Sequence, residues 1–282
     1  MEIIVAKTAG FCFGVDKAIQ KVNKFIGKEV IYTYGPIIHN QQVVKDFESK
    51  GVKVIDDLVE LDNMPLGTII IRSHGAGKND IDIMRSKGFK IIDATCPYVK
   101  RIHRIVEESS QQGNKVIIIG SPTHPEVIGI KGWSSQKVNI IENIQDIDAI
   151  VIGEEDTFCL VTQTTFNFLK YKEIVNKLQK SEIHVMIYET ICSATEERQM
   201  EAIELSKIAT KMIVIGGKHS SNTQKLYHIC KTQCKDTYYI ETAEDLVLNV
   251  FDDNDIIGIT AGASTPKNII EEVILNVRRT KL

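Results

Sequence analysis

Short apolar runs alternate along this chain with longer stretches in which apolar residues recur at threes and fours. Runs such as "EIIV", "TIII", "VIIIG" and "FCLV" carry the β-branched content of buried strands. Stretches such as "GVDKAIQKVNKFI", "PYVKRIHRIVEESSQ", "SATEERQMEAIELSKIA" and "KNIIEEVILNVRRT" carry the helical period. The alternation of the two predicts an α/β protein built from parallel sheets, with ligand sites at the carboxyl ends of the strands.

The pattern repeats. Cys12 follows "EIIVAKTAGF", Cys96 follows "FKIIDAT" and Cys192 follows "HVMIYETI", and each precedes a helix-like stretch. From each cysteine to a glycine after the next strand is 23 residues (Cys12 to Gly35), 24 (Cys96 to Gly120) and 24 (Cys192 to Gly216). The polar loops behind those glycines, "GPIIHN", "GSPTHPE" and "GKHSSN", put His39, His124 and Ser220 in matching places. A later strand in each repeat ends in a second polar cluster, with His74, the pair Thr164 and Thr165, and Ser264.

The first two repeats end on the strand that leads to the next cysteine, whereas the third ends on "KNIIEEVILNVRRT" with no strand after it. Residues 2 to 6 are predicted to supply the missing strand. The expected organisation is three small pseudo-symmetric parallel-sheet α/β domains: 13–96, 97–192, and 193–282 completed by the N-terminal segment 1–12. Such domains would surround one centre where Cys12, Cys96 and Cys192 converge.

Bulk properties narrow the chemistry. The chain has 282 residues, 43% hydrophobic and 25% charged, as in an ordinary globular protein, and its net charge of −3 gives no reason to expect a nucleic acid as partner. The N-terminus lacks the pattern of a secretory signal and no apolar run is long enough for a membrane span, so a cytoplasmic protein is expected. In a reducing compartment, cysteines serve as ligands, catalysts or core residues more often than as disulfides. Cys159, Cys230 and Cys234 lack the phase of the repeat; Cys159 is read as a core residue, and Cys230 and Cys234 as core or surface residues.

Three converging thiols can hold zinc in a closed Cys3His site, but such ligands usually come in close pairs, and none of these three has one. A cubane iron–sulfur cluster is normally held by four thiolates. With three, one iron keeps an open position that can act as a Lewis acid while electrons pass through the cluster.

The stretches "AGFCFGVDKAI", "DATCPYVKR", "SPTHPEVIG", "VTQTT", "ETICSATEERQ", "GKHSSNT" and "AGASTP", in this order from residue 9 to about 266, resemble the hydroxymethylbutenyl diphosphate reductase family. This resemblance implies a [4Fe-4S] cluster on Cys12, Cys96 and Cys192, with the fourth iron meeting the terminal hydroxyl of an allylic diphosphate. It implies diphosphate contacts from His39, His74, His124, Ser220, Ser221, Asn222 and Ser264. Glu126 would be the proton source, and Thr164 would hold the hydroxyl and relay the proton, with Thr165 in support. His103, His184, His219 and His228 match no site position of the family.

The implied activity is a reductive dehydroxylation, the last step of the non-mevalonate isoprenoid pathway, yielding isopentenyl and dimethylallyl diphosphate. Electrons would come from outside, from ferredoxin or flavodoxin, because no GxGxxG turn with a following acidic residue is present for a bound nicotinamide. A monomer without a membrane partner is expected. Two alternatives stand beside this reading: an iron–sulfur enzyme like quinolinate synthase, and a non-catalytic zinc-stapled binding protein. The histidines and "SSN" suit a diphosphate better than a dicarboxylate, and a zinc staple leaves Glu126 and the paired threonines without a role.

Overall fold

The computed structural model describes residues 1–247 and 250–279. The first third runs β1 (Glu2–Val5), α1 (Phe13–Asn23), β2 (Ile31–Tyr34), α2 (Gln41–Ser49), β3 (Val52–Ile55), β4 (Thr68–Ile71), α3 (Lys78–Ser86) and β5 (Lys90–Asp93). The second runs α4 (Pro97–Gln111), β6 (Lys115–Ile119), α5 (Pro125–Lys131), β7 (Val138–Ile141), β8 (Phe158–Thr162), α6 (Phe168–Gln179) and β9 (Val185–Ile187). The last runs α7 (Ser193–Ile208), β10 (Lys211–Ile215), α8 (Ser221–Gln233), β11 (Thr237–Ile240), β12 (Ile256–Ala261) and α9 (Lys267–Arg279).

The strands form three four-stranded sheets, β3-β2-β4-β5, β7-β6-β8-β9 and β1-β12-β10-β11, and the pairings are parallel. β1 takes the place in the third sheet that β5 and β9 take in the others, through the register Glu2↔Ile256 to Val5↔Ile259. The strand order reverses between β2 and β4, between β6 and β8, and between β10 and β12. Loops that leave two such neighbours diverge and open a crevice at their carboxyl ends.

Helices cover both faces, so the central strands are apolar without alternation: Ile69 to Ile71, Val116 to Ile119 and Met212 to Ile215 are all inaccessible. Cys159, Cys230 and Cys234 lie in apolar cores, and burial pushes the Cys230 thiol up to about 11. Each sheet is also preceded at its third strand by a 3-10 turn with a capping box, in which Glu60, Asp146 or Asp245 binds two backbone N–H groups.

Helices α1 and α7 end earlier than the pattern, α7 at Ile208 where the helical stretch runs through Ala209. The periodicity extends to Ile26, but α1 stops at Asn23 and the chain continues in turns through Gly27, where φ is +75°. The helix expected over 267–280 spans Lys267–Arg279, and Thr280 lies outside the described residues. No helix among the described residues is long and apolar enough to cross a membrane.

The chain divides into two compact units, one made of Met1–Val15, His39–Gln41 and the chain from Ser193 onward, the other of Asp16–Ile38 and Gln42–Cys192. The first contains the sheet β1-β12-β10-β11 and the second contains the other two. In the first unit, α7 holds the segment that leads to Cys12. Arg198, 4% exposed, donates from Nη1 to the carbonyls of Gly10 (2.9 Å) and Ala261 (2.7 Å). Glu201 accepts from the N–H groups of Lys7 (2.7 Å) and Thr8 (2.9 Å) and from the Thr8 hydroxyl (2.6 Å).

Candidate active site

Each of Cys12, Cys96 and Cys192 stands immediately before a helix, is half-buried and is not in a disulfide. Their backbone N–H groups are bound alike: Cys12 to the carbonyl of Ala263 (3.2 Å), Cys96 to Ser73 (3.0 Å) and Cys192 to Thr164 (3.1 Å). Each acceptor lies two residues past the end of β12, β4 or β8. One local construction thus occurs three times. A helix N-terminus favours the thiolate, the form that binds metal.

The second unit places a carboxyl beside one of these turns. Glu126 is 1% exposed, and its Oε1 accepts from the N–H of Thr164 (2.6 Å) while its Oε2 accepts from the Thr164 hydroxyl (2.8 Å). Thr164 therefore holds Glu126 through its N–H and hydroxyl and Cys192 through its carbonyl. His124 caps α5, its Nδ1 accepting from the N–H of Glu126 (3.1 Å). That bond keeps Nδ1 unprotonated and leaves the proton of the neutral ring on Nε2, where it can be donated to an anion. His74 meets His124 edge to face, with ring centroids 5.5 Å apart. Thr165 accepts from Gln163 Nε2 (3.1 Å), and Gln163 Oε1 accepts from the N–H of Ser121 (3.2 Å).

The first unit collects the other polar candidates with Cys12. Ser220 caps α8, its Oγ accepting from the N–H of Thr223, and Ser221 opens the helix. Ser264 donates to the carbonyl of His39 (3.2 Å). A Cβ on Gly217 would come within 2.6 Å of that same carbonyl, so only glycine fits there. Asn222 is 5% exposed, and neither atom of its side-chain amide has a hydrogen-bond partner among the described residues. An unpaired buried amide costs about 1–3 kcal/mol, a cost that a bound polar ligand would remove.

Among the remaining histidines, His184, His219 and His228 are exposed and His103 is buried. Sequence reasoning missed Gln163, Arg198 and Glu201. The last two stand in "TEERQME", where a buried arginine carries the same local signal as a solvated one.

The chain matches the LytB protein family over residues 3–278. It is 45% identical over 285 residues to the 4-hydroxy-3-methylbut-2-enyl diphosphate reductase of Caldanaerobacter subterraneus subsp. tengcongensis, covering 100% of this chain and 98% of that protein. The structure of the E-1-hydroxy-2-methyl-but-2-enyl-4-diphosphate reductase from Plasmodium falciparum is similar with a TM-score of 0.91 at 30% identity, over 97% of this chain and 87% of that one. A solved (E)-4-hydroxy-3-methyl-but-2-enyl diphosphate reductase, described as the terminal enzyme of the non-mevalonate pathway, gives a TM-score of 0.71 at 39% identity over 99% of both chains. With a family match across nearly its whole length and a relative this similar from end to end, the chain belongs to the LytB protein family.

Proposed function

We propose that this chain removes the allylic hydroxyl of 4-hydroxy-3-methylbut-2-enyl diphosphate by reduction, giving isopentenyl diphosphate and dimethylallyl diphosphate. Two electrons and two protons are consumed: one proton leaves with the hydroxyl as water and the other ends on carbon. The observation that carries this reading is the position of Thr164, which joins the buried carboxyl of Glu126 to the turn of Cys192 by three hydrogen bonds. A proton source one residue away from a metal-ligating thiol is what removal of a hydroxyl requires.

Cys12, Cys96 and Cys192 would hold a [4Fe-4S] cluster with one open iron, contributed by three α/β domains at 13–96, 97–192 and 193–282 with the strand from 1–12. Three half-buried thiols on helix N-termini, alike in backbone bonding, fit such a group by the chemistry of their donors. When bound, the cluster supplies electrons and a Lewis-acidic iron.

The chain's own groups do the rest. Glu126 supplies the proton, and the Thr164 hydroxyl passes its own proton to the leaving oxygen while taking one from Glu126. His124 Nε2–H, His39, His74, Ser220, Ser221, Asn222 and Ser264 bind the diphosphate through hydrogen-bond donors, which suits a protein of net charge −3. Asn222 supports this assignment most directly, since a phosphate oxygen would satisfy its unpaired amide nitrogen. Electrons come from an external ferredoxin or flavodoxin, and the enzyme works as a cytoplasmic monomer.

The test is a Mössbauer spectrum of iron-57-labelled, anaerobically purified protein with and without 4-hydroxy-3-methylbut-2-enyl diphosphate. A cubane signal with one distinct iron that shifts on adding the substrate is expected. A cubane signal indifferent to the substrate, or no cluster after reconstitution, would overturn the reading.

A further inference from the structure

The loop after β4, residues 72–77, carries His74 and is held on both sides of it. Ser73 donates to the carbonyl of Ile37 from both its N–H (3.3 Å) and its hydroxyl (3.1 Å), and its own carbonyl accepts from Cys96. The carbonyl of Ala76 accepts from Trp133 Nε1 (2.9 Å), and a Cβ on Gly132 would fall 2.7 Å from Gly77 Cα. At Gly75 the backbone turns left-handed with φ +77°, and a Cβ there would lie 2.5 Å from His103 Cε1.

His103 lies on α4, the helix that Cys96 caps, and is 5% exposed. Its ring stacks on the indole of Trp133, with centroids 5.0 Å apart and planes 17° apart. Its Nε2 is buried and has no hydrogen-bond partner among the described residues. A ring that leaves this nitrogen unpaired acts here through its flat shape rather than through a hydrogen bond.

We infer that His103 is a positioning residue for the proposed reaction: stacked on Trp133, its ring backs the left-handed turn at Gly75 and thereby aims His74 at the diphosphate. The inference rests on the assignment of His74 as a diphosphate ligand. Without the ring, the turn loses its backing on one side, and a shift of about 1 Å in a binding group is enough to weaken its contact substantially. Since the role belongs to shape, phenylalanine replaces histidine and alanine does not.

The experiment is isothermal titration of 4-hydroxy-3-methylbut-2-enyl diphosphate into anaerobically purified, cluster-loaded full-length protein. The wild type is compared with His103→Ala, His103→Phe, His74→Asn and the His103→Ala/His74→Asn double variant. The expected result is a Kd raised roughly tenfold in H103A, restored to within about threefold of wild type in H103F, and no higher in the double variant than in H74N. A merely structural role would instead multiply with the H74N effect. If H103A does not fold, Trp133→Phe carries the same test: it retains an aromatic partner for the stack and loses the hydrogen bond to Ala76, and its smaller weakening must likewise vanish in the H74N background. Wild-type Kd in H103A, or multiplying effects, would overturn the inference. H74N binding as tightly as wild type would remove the assignment of His74 and the inference with it, whereas a wild type that does not bind the substrate would overturn the proposed function itself.

Discussion

Glu126 and Asn222 occupy the same place in two copies of one construction, six residues past Gly120 and Gly216 and two residues past the caps His124 and Ser220. Around Glu126 the neighbouring strand end offers Thr164, whose N–H and hydroxyl both bind the carboxyl. The corresponding residue past β12 is Ala263, whose carbonyl holds a cysteine N–H as Thr164 does but whose side chain has no hydroxyl, and Asn222 keeps both amide atoms unpaired. The scaffold sets where a side chain stands; the partner on the next strand sets whether it is satisfied or left unpaired. On the proposed function, the first copy moves a proton and the second binds an anion.

The largest expected effect breaks this comparison from the Glu126 side. Glu126→Gln keeps size and one of the two acceptor oxygens but supplies no acidic proton, so turnover with reduced methyl viologen should fall by about 10²–10⁴ while substrate Kd by titration stays within a few-fold. A Kd that rises as steeply as turnover falls would make Glu126 a binding group like Asn222. Next, Asn222→Ala should raise KM by about 10–100-fold, the worth of one or two hydrogen bonds to a charged group, with kcat nearly unchanged. A loss confined to kcat would erase the distinction between the two positions.

The smallest effect concerns stability. Seven residues past Cys96 stands His103, and seven past Cys192 stands Gln199, which does not titrate. Burial pushes His103 down from 6.5 to about 4, with Asp93 opposing the shift and Lys100 adding to it. The unfolded chain takes up this proton near 6.5 and the folded protein only near 4, so stability falls as pH drops between them. The loss by pH 5 is about 2 kcal/mol. Urea unfolding of wild type and His103→Phe at pH 7 and pH 5 should show this extra loss in the wild type alone, and equal losses would place His103 in contact with water.

Much of the fold was legible because its signals are local. Buried parallel strands read as apolar runs, helices as a period of 3.6, and the threefold spacing from cysteine to glycine emerged by counting. The 3-10 capping boxes are equally local, but "DDLVE", "ENIQD" and "ETAED" look like ordinary polar loops. The surroundings of His103 are not local: its neighbours Gly75 and Trp133 lie 28 and 30 residues away in the chain, so helical periodicity says only that its face of α4 is buried.

What the sequence determined by itself is the set of elements, the repeat and the residue types that carry chemistry, since these follow from periodicity and from what thiols, carboxyls and hydroxyls can do. The tertiary structure alone decided who meets whom: Thr164 between Glu126 and Cys192, Arg198 and Glu201 on the segment before Cys12, and His103 beneath the turn of His74. Hydrogen bonds and close packing act over about 3–4 Å, and only folding brings residues distant in the chain within that range.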